Sequence, residues 1–124
     1  MINRLGQVML YVNDQEKARV FWTEKAGFKV IAEEEAMGQK WIELAPEGAQ
    51  TSIILHDKEV VAKMSLGVNL GTPSLMFFSD KLDELYSEFK NKNVTVGELV
   101  ELPFGRVFNF ADEEDNYFAV MERK

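Results

Sequence analysis

The sequence predicts an α+β fold built from two tandem βαβββ modules, whose eight strands form one curved mixed sheet around a pocket. An internal repeat carries this prediction. Residues 7–56 and 74–122 follow the same order of patterns. Counterparts lie 67 residues apart at first, with Val8-Met9-Leu10-Tyr11 against Leu75-Met76-Phe77-Phe78, and Ala18 and Trp22 against Leu85 and Phe89. From the helix end the spacing is 66, with Phe28-Lys29-Val30 against Val94-Thr95-Val96 and Trp41 to Ala45 against Val107 to Ala111. The second observation is local: in each copy one helix-period segment follows one strand-period run and precedes three more. The 124 residues suit a single domain, with module 1 at about 1–57, a linker at 58–72 and module 2 at about 73–124.

Residues 5–12 alternate and are dense in Val, Met, Leu and Tyr, which predicts a strand. Asn13 or Asp14 offers a side-chain oxygen to the free amides of a helix start. Ala18, Phe21, Trp22 and Ala26 then recur at helical spacing, and Gly27 suits the left-handed backbone that closes a helix. Three strands follow, Phe28 to Glu34, Gln39 to Ala45 and Thr51 to Asp57, parted by Met37-Gly38 and Pro46-Glu47-Gly48. In the linker Val60, Val61 and Met64 fit one helical turn. The second copy has Asp80 as cap, a stripe of Leu82, Leu85, Tyr86 and Phe89, and Asn93 as terminator, since Asn is the usual substitute for Gly at positive φ. Its three strands are Val94 to Val100, Arg106 to Ala111 and Tyr117 to Arg123.

The absence of cysteine excludes disulfides and thiolate zinc sites. No apolar run is long enough for a membrane span, and no leader is evident, so a soluble cytoplasmic protein is expected without a membrane partner. A net charge of −7, with clusters at Glu33-Glu34-Glu35 and Asp112-Glu113-Glu114-Asp115, argues against a nucleic-acid partner. The acidity serves either attraction of cationic small molecules or plain solubility.

Alternation assigns faces. Ile53 and Leu55 turn toward the helix, and Ser52, Ile54 and His56 turn away. The same offset sends Ala119 and Met121 to the second helix and Phe118, Val120 and Glu122 to the opposite face. Gln7, Met9, Tyr11, Trp41 and Glu43 join the pocket face from module 1. Ser74, Met76, Phe78, Val107 and Asn109 join it from module 2.

With these elements in place the chain resembles the vicinal oxygen chelate superfamily, which includes glyoxalase I, the extradiol dioxygenases and the fosfomycin- and bleomycin-resistance proteins. The matching elements run through the whole chain: Gly6 to Asp14, the Phe21-Trp22 to Gly27-Phe28 helix exit, Pro103-Phe104-Gly105-Arg106, and Asp112 through Asn116-Tyr117. Metal-dependent members hold a divalent ion with His or Glu on the first and last strand of each module. Those places fall here on Gln7, Ile54, Ser74 and Val120. Two aliphatic side chains, an amide and a hydroxyl lack the donors such an ion requires, so no metal cofactor is expected. The alternative is a displaced divalent site at His56 and Glu122, with Glu43, two residues further along each last strand.

The resemblance implies a small-molecule ligand and a homodimer. The first functional expectation is a metal-free binding protein that sequesters a cationic or amphipathic compound. The second is a glyoxalase-type lyase or isomerase, using the displaced metal site or Glu43 as an acid–base group. Glu43 beside Trp41 is a cation holder, a general base or a solvated side chain. Trp41, Tyr11, Phe78 and Phe118 form either an aromatic wall for a ligand or part of the core. Arg106, in the place of Lys40, serves an anionic ligand at the rim or the surface.

Overall fold

The computed structural model describes residues 1–64 and 67–123; residues 65 and 66, inside the expected linker, and residue 124 lie outside the described residues. The chain divides into two units, Met1–Thr72 and Pro73–Lys124. The α+β character and the order of elements agree with the repeat. Hydrogen bonding divides the eight strands into two mixed sheets of four, one in each unit, where the sequence reading has one continuous sheet.

In the first unit β1 (Gln7–Val12) leads to α1 (Gln15–Val20), which continues as a π-helical turn over Phe21–Lys25. β2 (Lys29–Ala36), β3 (Gln39–Ala45), β4 (Ser52–Asp57) and α2 (Lys58–Lys63) follow. The strands lie in the order β1-β4-β3-β2. β1 runs parallel to β4, and the other pairs are antiparallel. Asp14 caps α1 by accepting from the Lys17 N–H at 3.0 Å. Gly27, at φ +80°, closes the helix, and Met37-Gly38, both at positive φ, make the tight turn of the β2–β3 hairpin. Ala18, Phe21 and Trp22 are buried, as are Ile53 and Leu55 on the helix side of β4. The expected turn in the linker is α2, capped by Asp57, whose carboxylate accepts from the Glu59 and Val60 N–H groups.

The second unit contains β5 (Met76–Ser79), α3 (Leu82–Asn91), β6 (Val100–Leu102), β7 (Gly105–Ala111) and β8 (Tyr117–Glu122), in the order β5-β8-β7-β6. Its core is aromatic: Phe89 packs on Phe108 and Phe110, and Phe110 on Phe118 and Phe77. Asn93 adopts φ 62°, the left-handed counterpart of Gly27. Two expectations are corrected here. Lys81, not Asp80, occupies the cap position of α3, and the Ser79 hydroxyl accepts from its N–H at 3.1 Å. The strand expected at 94–100 is reduced to a bridge between Val96 and Phe110 and the short β6. The Tyr86 hydroxyl donates to the Gly97 carbonyl at 2.9 Å, taking that acceptor out of any ladder, and glycine itself weakens a strand.

A third correction concerns the faces of β8. Met76 pairs with Ala119 and Phe78 with Met121, while Phe77 pairs with Val120. Ala119 and Met121 therefore share a face with Met76, Phe78, Val107 and Asn109. Phe118, Val120 and Glu122 lie on the helix side, the reverse of the expected arrangement, and Phe118 and Val120 are buried there. The cause is a turn one residue shorter: Glu43 pairs with Ile54 in the first sheet, but Asn109 pairs with Ala119 in the second. A one-residue slip exchanges the two faces of a strand.

The cap geometry makes a paired prediction for urea unfolding. Asp14→Ala is expected to cost about 1 kcal/mol, whereas Asp80→Ala stays within about 0.5 kcal/mol of the parent. Equal costs at the two positions would contradict the cap assignments.

Candidate functional site

The face of the first sheet turned away from α1 carries a pocket of about 340 Å³ lined by Gln7, Met9, Ala32, Glu34, Gln39, Trp41, Glu43, Ile54 and His56. The pairing explains this set. β1 and β4 align Gln7 with Ser52, Met9 with Ile54 and Tyr11 with His56. β3 adds Trp41 opposite His56 and Glu43 opposite Ile54, and β2 adds Ala32 opposite Glu43 and Glu34 opposite Trp41. Alternation then delivers every one of these side chains to the same surface.

Two small networks order the pocket. At one end the Glu43 carboxylate accepts from the Ser52 hydroxyl at 2.5 Å and from the Gln7 amide at 3.3 Å, both at Oε2. At the other end the His56 ring stacks on Tyr11 with centroids 5.6 Å apart. Gln39 Nε2 donates to His56 Nδ1 at 3.3 Å, and His56 Nε2 lies 3.3 Å from the Met9 sulfur. This pattern places the ring proton on Nε2 and favours the neutral imidazole. Burial acts in the same direction and holds the His56 pKa below its ordinary 6.5.

Among the described residues no lysine or arginine lines the pocket, yet Glu34 and Glu43 both do. The basic residues nearby are engaged elsewhere. Lys40 bonds to Glu16 at 2.9 Å, and Arg19 pairs with Glu33. The Lys40 hydrogen bond holds Glu16 below the usual carboxylate range. The acidic run Glu33-Glu34-Glu35 is thus split by the pleat, with Glu33 neutralised and Glu34 turned to the pocket.

The expected site residues of the second unit separate into two groups. Met76, Phe78 and Asn109 are exposed on one face of their sheet, and Ser74 is exposed just before β5. Phe118 and Val120 belong to the core on the other face. Arg106 bonds to both Asp83 oxygens at 3.0 and 2.9 Å and to Glu122 at 3.3 and 2.8 Å. The Glu122 and Asp83 hydrogen bonds raise the Arg106 pKa, and Arg106 in turn lowers that of Asp83. Arg106 and Glu122 are therefore occupied with one another on the helix side of β7 and β8.

The donor set does not fit a divalent ion. Ile54 is buried between Met9 and Glu43, and the register makes Ala119, not Val120, the β8 counterpart of Ile54. Neither side chain offers a lone pair, and Gln7 and Ser74 supply only an amide and a hydroxyl. The displaced site fares no better, because the Glu122 carboxylate is turned to Arg106. Among the described residues no three His, Cys, Asp or Glu side chains gather as a metal would require. No helix of these residues is long and apolar enough to cross a membrane.

Ala32, Glu34 and Gln39 also line the pocket and are not among the site residues expected from the sequence. The signal was available for Glu34: a hairpin turning at Met37-Gly38 sets it opposite Trp41.

Comparison with known proteins gives a consistent result. A model of the Glyoxalase/Bleomycin resistance protein/Dioxygenase superfamily matches residues 4–120. The chain is 36% identical over 125 residues to the protein YetH of Bacillus subtilis (strain 168), covering 98% of this chain and 100% of the relative. Among solved structures it is similar to TnmS3, an antibiotic binding protein from Streptomyces sp. CB03234, with a TM-score of 0.84, 26% identity, and coverage of 99% of this chain and 98% of that one. A member of the same superfamily from Sphaerobacter thermophilus DSM 20745 shares the fold, with a TM-score of 0.85, 24% identity and coverage of 98% of each chain.

The state of His56 is open to direct measurement. Its ring resonances are expected to titrate with a midpoint below 6.5. Because the unfolded chain takes up this proton more readily, the stability that neutral His56 contributes is full above the ordinary value and is lost as pH falls through the folded midpoint. A midpoint above 6.5 by NMR would contradict the buried, neutral ring.

Proposed function

We propose, starting from the fact that the chain belongs to the Glyoxalase/Bleomycin resistance protein/Dioxygenase superfamily, that it is a small-molecule-binding protein. In this reading it sequesters a cationic, amphipathic compound in the cytoplasm, without a metal and without chemical change. The observation that carries the proposal is the placement of Glu34 and Glu43 around Trp41, in a pocket with no lysine or arginine among its described lining residues. A cation entering this surface meets two carboxylates, and its apolar body meets Trp41, Met9 and Ile54. The similarity to TnmS3, an antibiotic binding protein, supports the class of function.

Sequestration needs no reacting group. The pocket binds by charge and shape, and the neutral His56 adds no positive charge to oppose a cation. Family membership also supports a homodimer, which light scattering would register as twice the chain mass.

A second reading keeps acid–base chemistry at Glu43, favoured by the 2.5 Å hydrogen bond through which the buried Ser52 hydroxyl orients this pocket-lining carboxylate. The two readings separate on Glu43→Gln. Loss of binding together with charge supports sequestration, while retained binding with lost turnover of the same compound supports an acid–base role.

Titration of a panel of arylalkyl ammonium and amidinium salts, followed by calorimetry and Trp41 fluorescence, is expected to find saturable binding. Glu34→Gln and Glu43→Gln should each weaken it by roughly tenfold. Absence of binding across the panel would remove the cation reading. Protein purified without chelators should carry Ni, Zn, Mn and Fe well below one equivalent per chain by elemental analysis; a stoichiometric metal would overturn the metal-free assignment.

A further inference from the structure

We infer that the pocket selects cations bearing N–H donors, a primary or secondary ammonium or an amidinium on an apolar body, over quaternary ammonium ions, and that Ser52 is the positioning residue for this choice. The inference rests on the reading of the pocket as a cation site.

It follows from how Glu43 is held. Ser52 on β4 and Gln7 on β1 both donate to Oε2 of the carboxylate, at 2.5 and 3.3 Å. Ser52 is buried, so its hydroxyl is directed by the strand that carries it. Two protein donors on one oxygen orient the group and leave Oε1 with no protein donor among the described residues. A ligand that displaces water from Oε1 must supply a hydrogen bond in return, because an acceptor stripped of water and left unpaired is costly. An ammonium or amidinium N–H does so. A trimethylammonium brings the same charge and no donor.

The aromatic surface does not favour the opposite choice. Quaternary ammonium ions are held best by several ring faces together. Here the Tyr11 ring, stacked on His56, is not among the residues that line the pocket, and Trp41 is the one indole or phenyl ring among the described lining residues. A single indole is not a cage.

The test uses two probes with one aryl body, phenethylammonium and phenethyltrimethylammonium, titrated into the full chain by calorimetry. The expected result is tighter binding of the primary ammonium by about tenfold. Ser52→Ala frees the Glu43 carboxylate to turn toward water, where it no longer demands a donor from the ligand, and should bring the ratio close to one; Ser52→Thr, which keeps the hydroxyl, should retain the preference. A merely structural role for Ser52 would weaken both probes together and leave their ratio unchanged. If Ser52→Ala does not fold, Gln7→Leu at its exposed position should lower the ratio in the same direction. Equal or tighter binding of the trimethyl probe overturns this inference and leaves the cation reading standing. Failure of both probes to bind the folded parent overturns the two together.

Discussion

The site depends on the parallel pairing of β1 with β4. That register sets Gln7, Met9 and Tyr11 beside Ser52, Ile54 and His56, and it decides which of two alternating sets faces the pocket. Parallel strands need a crossover between them, which α1 and the β2–β3 hairpin supply here. The core then follows, because Ile53 and Leu55 must face the helix once Ile54 and His56 face away. A shift of one residue in β4 would turn Ser52 away from Glu43 toward the helix and turn Ile53 and Leu55 to the pocket face.

The same alternation sorts charge. Cations on the helix side find carboxylates there: Lys40 meets Glu16 in the first unit, and Arg106 meets Asp83 in the second. These are repeat counterparts, with Glu16 and Asp83 67 residues apart and Lys40 and Arg106 66 apart. Such exposed pairs add little stability. Their consequence is local, since they draw basic side chains away from the pocket face and leave Glu34 and Glu43 facing it without a lysine or arginine among the lining residues.

Much of this was legible in the sequence where patterns are unambiguous. Asp14, Gly27 and Asn93 signal helix ends by mechanisms that act through a few atoms, and the structure places them as read. The pocket face of the first unit was legible because Gln7, Met9 and Tyr11 alternate with Val8, Leu10 and Val12, and because His56 and Ser52 mark the polar side of β4. β8 was not legible in this way. Phe118-Ala119-Val120-Met121 is apolar throughout, so period-two alternation carries no information about its face. Its orientation is settled by the turn before it, where Asp115 adopts φ 61° and Asp112 accepts from the Glu114 and Asn116 N–H groups. That turn is one residue shorter than the link between β3 and β4. Asp80 misled because α3 begins one residue later than its position suggests, with Lys81 at the cap position and no side chain capping the first turn.

The repeat separates what the fold needs from what the site needs. The helix-side ion pair recurs in both copies, and so does left-handed backbone at the helix end. The pocket-face positions do not recur: Trp41 answers Val107, Glu43 answers Asn109, Ile54 answers Ala119 and His56 answers Met121. Charge, indole and imidazole are thus concentrated on one copy, while the matching face of the other presents Met76, Phe78 and Asn109. Since both copies build the same sheet with either set, these side chains are not demanded by folding. Glu34 and Glu43 are both carried on the pocket face, where the register of the hairpin sets them on either side of Trp41. Fold membership leaves the chemistry open, and the proposed recognition of a positively charged ligand rests on this departure of one copy from the other.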